Sequence, residues 1–295
     1  MTVFRVAAAQ YPLDQLDDWS DYEGKLDYWV GGAAEDGARL LVFPEYGAME
    51  IAAIAGAEVA ADLAASIDAV GERLQQADAI LERLAARYGV HILAASAPAR
   101  RADGQAVNVA RLIGPGGTIG RQEKRMMTRF ERDPWRISAG AGLTVFDLGF
   151  AKVGVAICYD VEFPLIARAL AEAGAQVILA PSCTETLAGS HRVHTGAKAR
   201  ALENQAYVVV SQTVGEAPWS PATDRNCGLA AVYCPSDKGF PDNGVVAVGT
   251  RDEAMWVIAD LDLDKLAAVR ADGTVLNLRH WSEQPVGEAA RVLRG

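Results

Sequence analysis

Three side chains in this sequence sit where an apolar run gives way to a polar one, and a fourth lies in the polar stretch that follows the second. Glu45 follows LLVFP, Lys124 closes GTIGRQEK, Glu131 lies seven residues further on, and Cys158 ends KVGVAIC just before Tyr159 and Asp160. A rigid strand aims such a residue, and the loop after it exposes it. As a set they match covalent catalysis by a thiol. The thiol must lose a proton before it attacks; a carboxylate at Glu45 accepts that proton and later returns it to a departing amine. The attack creates an oxyanion, which an ammonium at Lys124 and the backbone N–H of Tyr159 would hold. Glu131 is a second carboxylate, suited to holding the lysine or tuning the base. Cys158 also stands at a strand-to-helix junction, where a helix N-terminus favours thiolate. Singly, each has an ordinary reading: a solvated carboxylate or lysine, or a buried structural cysteine. The weight lies in one reaction needing all of them.

Other chemistry finds less support. His191 and His194 are three apart at an expected helix start, but no H-E-x-x-H or paired-carboxylate pattern accompanies them, so no metal site is expected. No Ser-His-Asp motif is present, and Gly114–Gly117 reads as a turn because no G-K-S/T follows. None of Cys158, Cys183, Cys227 and Cys234 forms a C-x-x-C pair. The rival from a different class is a redox-active cysteine protein, with Cys183 as resolving thiol. Arg125, Arg129, Arg132 and Arg136 crowd the segment after Lys124, either as a solvated loop or as a cluster that draws an acidic substrate. Trp135 and Trp219 read as packing residues that could also line a pocket.

The elements that must position these residues follow from periodicity. Strands are expected at 4–10, 39–43, 91–97, 107–113, 118–122, 143–148, 152–158, 176–180, 207–212, 228–233, 245–248 and 255–260. Helices are expected at 21–37, 57–88, 163–173 and 191–205, the second open to a split at Gly71 and stopped by Gly89. The stretch 123–141 and the last 25 or so residues read as irregular, with Trp281 as a candidate anchor. Strands alternate with helices but hairpins occur too, so the sheet should be mixed.

The chain has 295 residues, 51% of them hydrophobic, enough for a large core. With no repeat, linker or composition break, one domain is expected, with a core over about 1–262 and a tail over 263–295 that packs on the core or on a partner subunit. A net charge of −10 argues against nucleic acid as partner. No apolar run approaches the roughly 20 residues that span a bilayer, and no signal peptide is visible. Unpaired cysteines fit a reducing compartment, so the expected location is cytoplasmic.

With these residues assembled, the sequence resembles the nitrilase superfamily of carbon–nitrogen hydrolases. The blocks LLVFPE, NVARLIGPGGTIGRQEK and VGVAICYDVEFP occur in the family's order, followed by QVILAPSC and ARALENQAYVVVSQ. The resemblance implies a Glu-Lys-Cys triad at Glu45, Lys124 and Cys158, with Glu131 as the second glutamate. Tyr46, Phe130, Tyr159 and Cys183 are expected around the oxyanion and substrate. It also implies a four-layer α-β-β-α sandwich with mixed sheets, a homodimer or higher homo-oligomer, and no metal or organic cofactor. Tyr159 and Asp160 after the cysteine look more like the amidase and carbamoylase branches than true nitrilases, and Glu162 stands where many of those branches have arginine. The expected function is therefore an amidase that converts a small carboxamide to acid and ammonia through a thioester. The alternatives are an N-carbamoyl amino acid hydrolase or a nitrile hydrolase, or transfer of the acyl group to an amine.

Overall fold

Strand Val3–Pro12 carries small side chains that allow close packing on both faces. In this computed structural model, which describes residues 3–285, 287, 289 and 291–293, Val6 and Ala8 enter one hydrophobic core, while Ala7, Ala9 and Tyr11 enter another. This is the period-two alternation of a strand buried on both sides. The strand runs parallel to Leu40–Val42 and Tyr207–Glu216 and antiparallel to Met255–Asp262. It therefore ties the two halves of the sheet together. The order across the sheet is Ala97–Arg100, Ala106–Gly114, His91–Leu93, Leu40–Val42, Val3–Pro12, Tyr207–Glu216, Val177–Ser182, Lys152–Val155, Val145–Asp147.

The sheet curls until its halves face each other. Leu93 and Leu112 from one half share a core with Val153 and Val177 from the other. The Phe150 ring meets Phe4 at 4.9 Å and His91 at 5.2 Å. Helices Trp19–Glu35 and Leu63–Tyr88 cover the outer face of the first half, and Pro164–Glu172 and Leu187–Asn204 cover the second. The layering is helix, sheet, sheet, helix, as the resemblance implied.

Several expected boundaries move. The long helix starts at Leu63, where Asp62 accepts hydrogen bonds from the Ala64 and Ala65 amides; residues Ala57–Ala60 form a separate short turn of helix. Gly71 does not split the helix. A Cβ there would stand 3.4 Å from Ala99 Cα, so its bare face lets the helix lie close to strand Ala97–Arg100. Gly89 ends the helix in a left-handed conformation, φ 67°. The expected strand over 91–97 is two strands, His91–Leu93 and Ala97–Arg100. The helix expected from 191 begins at Leu187, capped by Thr186. Helix Leu263–Asp272 is not among the expected elements, and Asn277–His280 is helical within the last 25 or so residues, which were expected to be irregular. Leu266 and Val269 enter the core, and the Arg168 guanidinium lies 4.9 Å from the Trp281 ring. Positions 286, 288, 290, 294 and 295 of the tail lie outside the described residues.

Candidate active site

The loops at one end of the sheet bring together the residues singled out above. Strand Leu40–Val42 runs out through Phe43 and Pro44 to Glu45, and Tyr46 follows with a left-handed φ of 55°. Lys124 stands one residue past strand Gly117–Glu123; its amide donates to the Asn108 carbonyl at 2.9 Å. Glu131 lies on the one-turn helix Arg129–Arg132, fixed by a capping box with Thr128. Cys158 opens the 3-10 turn Cys158–Glu162 with φ 49°, a strained elbow for a residue with a side chain. Helix Leu187–Asn204 packs tightly beneath that turn: a Cβ on Gly196 would stand 2.9 Å from the Val161 carbonyl oxygen.

Lys124 Nζ donates to Glu45 Oε1 at 2.7 Å and to Glu131 Oε1 and Oε2 at 2.8 and 2.7 Å. Glu131 also accepts from the Tyr46 hydroxyl at 2.7 Å, and from the Thr128 amide and hydroxyl, each at 2.9 Å. Glu45 Oε2 accepts from the Cys183 amide at 3.0 Å, and the Cys158 thiol donates to the Cys183 carbonyl at 3.6 Å. The Cys158 sulfur faces both Glu45 and Lys124. Behind the turn, the Asp160 carboxylate accepts from the amides of Ile157 (3.1 Å), Arg125 (3.1 Å) and Met126 (2.7 Å). It thereby fastens the cysteine turn to the segment that follows the lysine.

The two glutamates differ electrostatically. Burial pushes Glu45 up to about 7; Lys124 works against that rise and Glu131 adds to it. In Glu131 burial acts upward too, but Lys124 and the Thr128 and Tyr46 donors outweigh it and hold the carboxyl below its usual range. Burial favours the neutral amine of Lys124, yet Glu131 and Glu45 overcome it and keep the ammonium charged. Burial, then the Glu45 carboxylate, hold the Cys158 thiol well above its ordinary value, with Lys124 opposing. The expected thiolate is thus not the resting state. The helical segment after Cys158 is a single 3-10 turn, too short for a strong dipole, and the cysteine is 4% exposed.

A cavity of about 720 Å³ opens above this cluster. Glu45, Lys124 and Cys158 line it, as do Glu131, Tyr46, Phe130, Tyr159 and Cys183, so every residue expected at the site borders one space. The arginine cluster divides: Arg129 and Arg132 line the cavity, while the Arg125 guanidinium binds the Gly140 carbonyl. Arg192 and Glu162 also line the wall, 3.6 Å apart. Trp135 borders the cavity and meets Tyr46 at a tilt of 47°, ring centres 4.6 Å apart. His194 is engaged with the Tyr233 hydroxyl and Gln212 Oε1 at 2.8 and 3.1 Å, and no group of three or more metal-ligating side chains occurs among the described residues.

Residues 5–271 match the family model for carbon-nitrogen hydrolases. The chain belongs to the carbon–nitrogen hydrolase family. It is 34% identical over 275 residues to probable hydrolase YhcX of Bacillus subtilis (strain 168), covering 93% of this chain and 53% of that protein, so it spans about half of that relative's length. It is 28% identical over 279 residues to the omega-amidase NIT2 of Homo sapiens, with 92% of each chain covered. The carbon-nitrogen hydrolase from Helicobacter pylori G27 shares the fold, with a TM-score of 0.76, 18% identity and 92% of each chain covered. An amidase from Nesterenkonia sp. superposes with a TM-score of 0.66 at 25% identity, covering 94% of this chain and 96% of that one. No helix among the described residues is long and apolar enough to cross a membrane.

In this carbon–nitrogen hydrolase family member, three participants carry little or no sequence signal. Asn108 donates to Glu45 Oε1 at 2.9 Å from the middle of a strand. The Cys183 peptide engages both Glu45 and Cys158 through its backbone, which residue type does not reveal. Asp160 is visible in the sequence as the first polar residue of a turn and as part of the cysteine block, neither of which reveals its three amide partners.

Proposed function

We propose that the protein is an amidase that cleaves a small carboxamide through a Cys158 thioester, with Glu45 as base and Lys124 as oxyanion partner. The observation that carries this reading is the convergence of Cys158, Glu45 and Lys124 on one cavity, with Lys124 Nζ 2.7 Å from Glu45 and 2.8 and 2.7 Å from the two Glu131 oxygens. Glu131 stays ionised against Lys124, and Glu45, pushed up to about 7, is poised to take and give a proton near neutrality.

The reaction follows from that arrangement. Glu45 takes the thiol proton as the sulfur attacks the carbonyl carbon; a C–S bond forms and the carbonyl π pair moves to oxygen. In the resting site the Lys124 ammonium is held by Glu45 and by both Glu131 oxygens. Protonation of Glu45 removes one of those charges, which frees an N–H of Lys124 for the oxyanion, with the Tyr159 amide as second donor. Glu45 then protonates the nitrogen, the C–N bond breaks and ammonia leaves. Water next gives a proton to Glu45 and attacks the thioester; the C–S bond breaks, the acid departs and the proton returns to sulfur. The names of the relatives, an omega-amidase and an amidase among them, favour a carboxamide over a nitrile or carbamoyl substrate. A redox role fits less well, because a sensing thiol needs a low pKa, and burial and the Glu45 carboxylate hold the Cys158 thiol high.

The test is intact-mass analysis after incubation with a panel of small amides, carbamoyl compounds and nitriles. The expected result is an acyl adduct on the wild-type chain that is absent from Cys158→Ala, with ammonia released only by the former. Ammonia release by Cys158→Ala at the wild-type rate would overturn the proposal.

A further inference from the structure

We infer that Asn108 is a positioning residue for the base: its side chain fixes Glu45, its main chain fixes Lys124, and together these decide which Glu45 oxygen carries the shuttled proton. The inference rests on the amidase reading of the same site. Asn108 lies within strand Ala106–Gly114, in the run AVNVA, and is completely buried. Its Nδ2 donates to Glu45 Oε1 at 2.9 Å, and its carbonyl accepts the Lys124 amide at 2.9 Å. One residue thus holds both the carboxylate and the root of the ammonium side chain.

The lone-pair count gives this its meaning. Glu45 Oε1 already accepts from Lys124 Nζ at 2.7 Å, so with Asn108 both of its lone pairs are filled. Glu45 Oε2 accepts the Cys183 amide at 3.0 Å, which leaves one lone pair open. The thiol proton therefore goes to Oε2. Without the Asn108 donor, Oε1 would compete for that proton, and the carboxyl could be neutralised on the wrong side.

The other end of the amide strengthens the case. Asn108 Oδ1 is buried and has no hydrogen-bond partner among the described residues. Buried amides normally satisfy both ends, and leucine would fill a similar volume in this apolar strand without stranding an oxygen. Packing alone therefore gives no reason for an amide here, whereas its single side-chain hydrogen bond, to a reactive carboxylate, does. The charged and titratable groups that face Glu45 are Lys124, Glu131, Cys158, Cys183 and Tyr46. Asn108 is neutral, so replacing it changes a donor without changing the net charge.

The test is the pH profile of kcat/KM for Asn108→Leu, normalised to the fraction of Cys158 that forms the acyl adduct. Loss of a donor to the ionised carboxylate raises its pKa, so the acid limb should move up by about one pH unit or more. With the midpoint moving from about 7 to about 8, the normalised kcat/KM at pH 7 should fall about five-fold or more. A residue that only packs would lower the amount of folded enzyme and leave the midpoint where it was; that result overturns the inference. A measurement on the wild type covers a variant that fails to fold. With asparagine-selective labelling, the Asn108 side-chain amide protons should shift with the same midpoint as the acid limb, and a flat titration would also overturn it. If the wild type forms no adduct on Cys158, the amidase reading itself falls. An adduct with an unmoved midpoint sinks only the role of Asn108.

Discussion

Two glutamates share one lysine, and their neighbours decide which of them titrates. Glu131 is saturated with donors, while Glu45 keeps an open lone pair toward the sulfur. The Glu131 charge also raises the Glu45 pKa. Glu131→Gln should therefore move the acid limb of activity to lower pH, opposite to Asn108→Leu, while kcat falls as Lys124 loses its main anchor. By analogy with loss of an oxyanion donor the fall should be about 10²-fold or more. A pH–rate profile checks both signs, and an acid limb that moved upward would refute this account of the pair. At this scale the sequence is informative where a residue ends a strand: Glu45, Lys124 and Cys158 all announce themselves that way. It shows Asn108 only as the polar residue that opens the block NVARLIGPGGTIGRQEK, with nothing of its partner, and it is silent about the Cys183 amide. The thiolate expectation failed because it weighed a helix end that is one short turn and ignored burial beside a carboxylate.

Between elements, a further buried carboxylate acts as a tie. Glu50, on the short helix Glu50–Ile54, accepts from the Tyr11 hydroxyl at 2.9 Å and the Asp14 amide at 2.7 Å, and it pairs with Lys25 from helix Trp19–Glu35. It joins the end of the first strand to two helices, and it does not border the cavity. Burial pushes Glu50 up to about 7 from 4.5, against the pull of Lys25. The folded state thus keeps a proton that the unfolded chain releases near 4.5. The resulting stabilisation is complete below that pH and is lost as pH rises through about 7. Relative to Glu50→Gln, the wild type should lose on the order of 3 kcal/mol between about pH 4.5 and 8. Denaturant unfolding of both proteins at the two pH values measures it; parallel pH dependences would contradict it. Element type is largely legible in the sequence, because apolar spacing and caps such as Asp62 and Gly89 are local signals. Boundaries are less so: Gly71 reads as a break, yet it marks the place where a helix approaches a strand.

For the molecule as a whole, local signals run out. Periodicity identifies the strands but not their order, and nothing in Met255–Asp262 says that it returns to lie against Val3–Pro12. The layered architecture came from the resemblance, which encodes long-range pairing that no single segment displays. The same is true of the cavity: its walls come from loops after Leu40–Val42, Gly117–Glu123 and Val177–Ser182, together with the cysteine turn. Their convergence depends on the curl of the sheet rather than on any one sequence block.

The pairing of Val3 with Asp262 and of Gln10 with Met255 sets a timetable for biosynthesis. The first strand leaves the ribosome long before its longest partner exists, and contacts between segments so remote form late. A nascent chain arrested after residue 250 has Glu45, Lys124, Glu131 and Cys158 but lacks strand Met255–Asp262, which completes its central ribbon. It should be digested readily by added protease, whereas a chain released after residue 275 should resist. Equal resistance of the two would show that the sheet matures before the chain is closed.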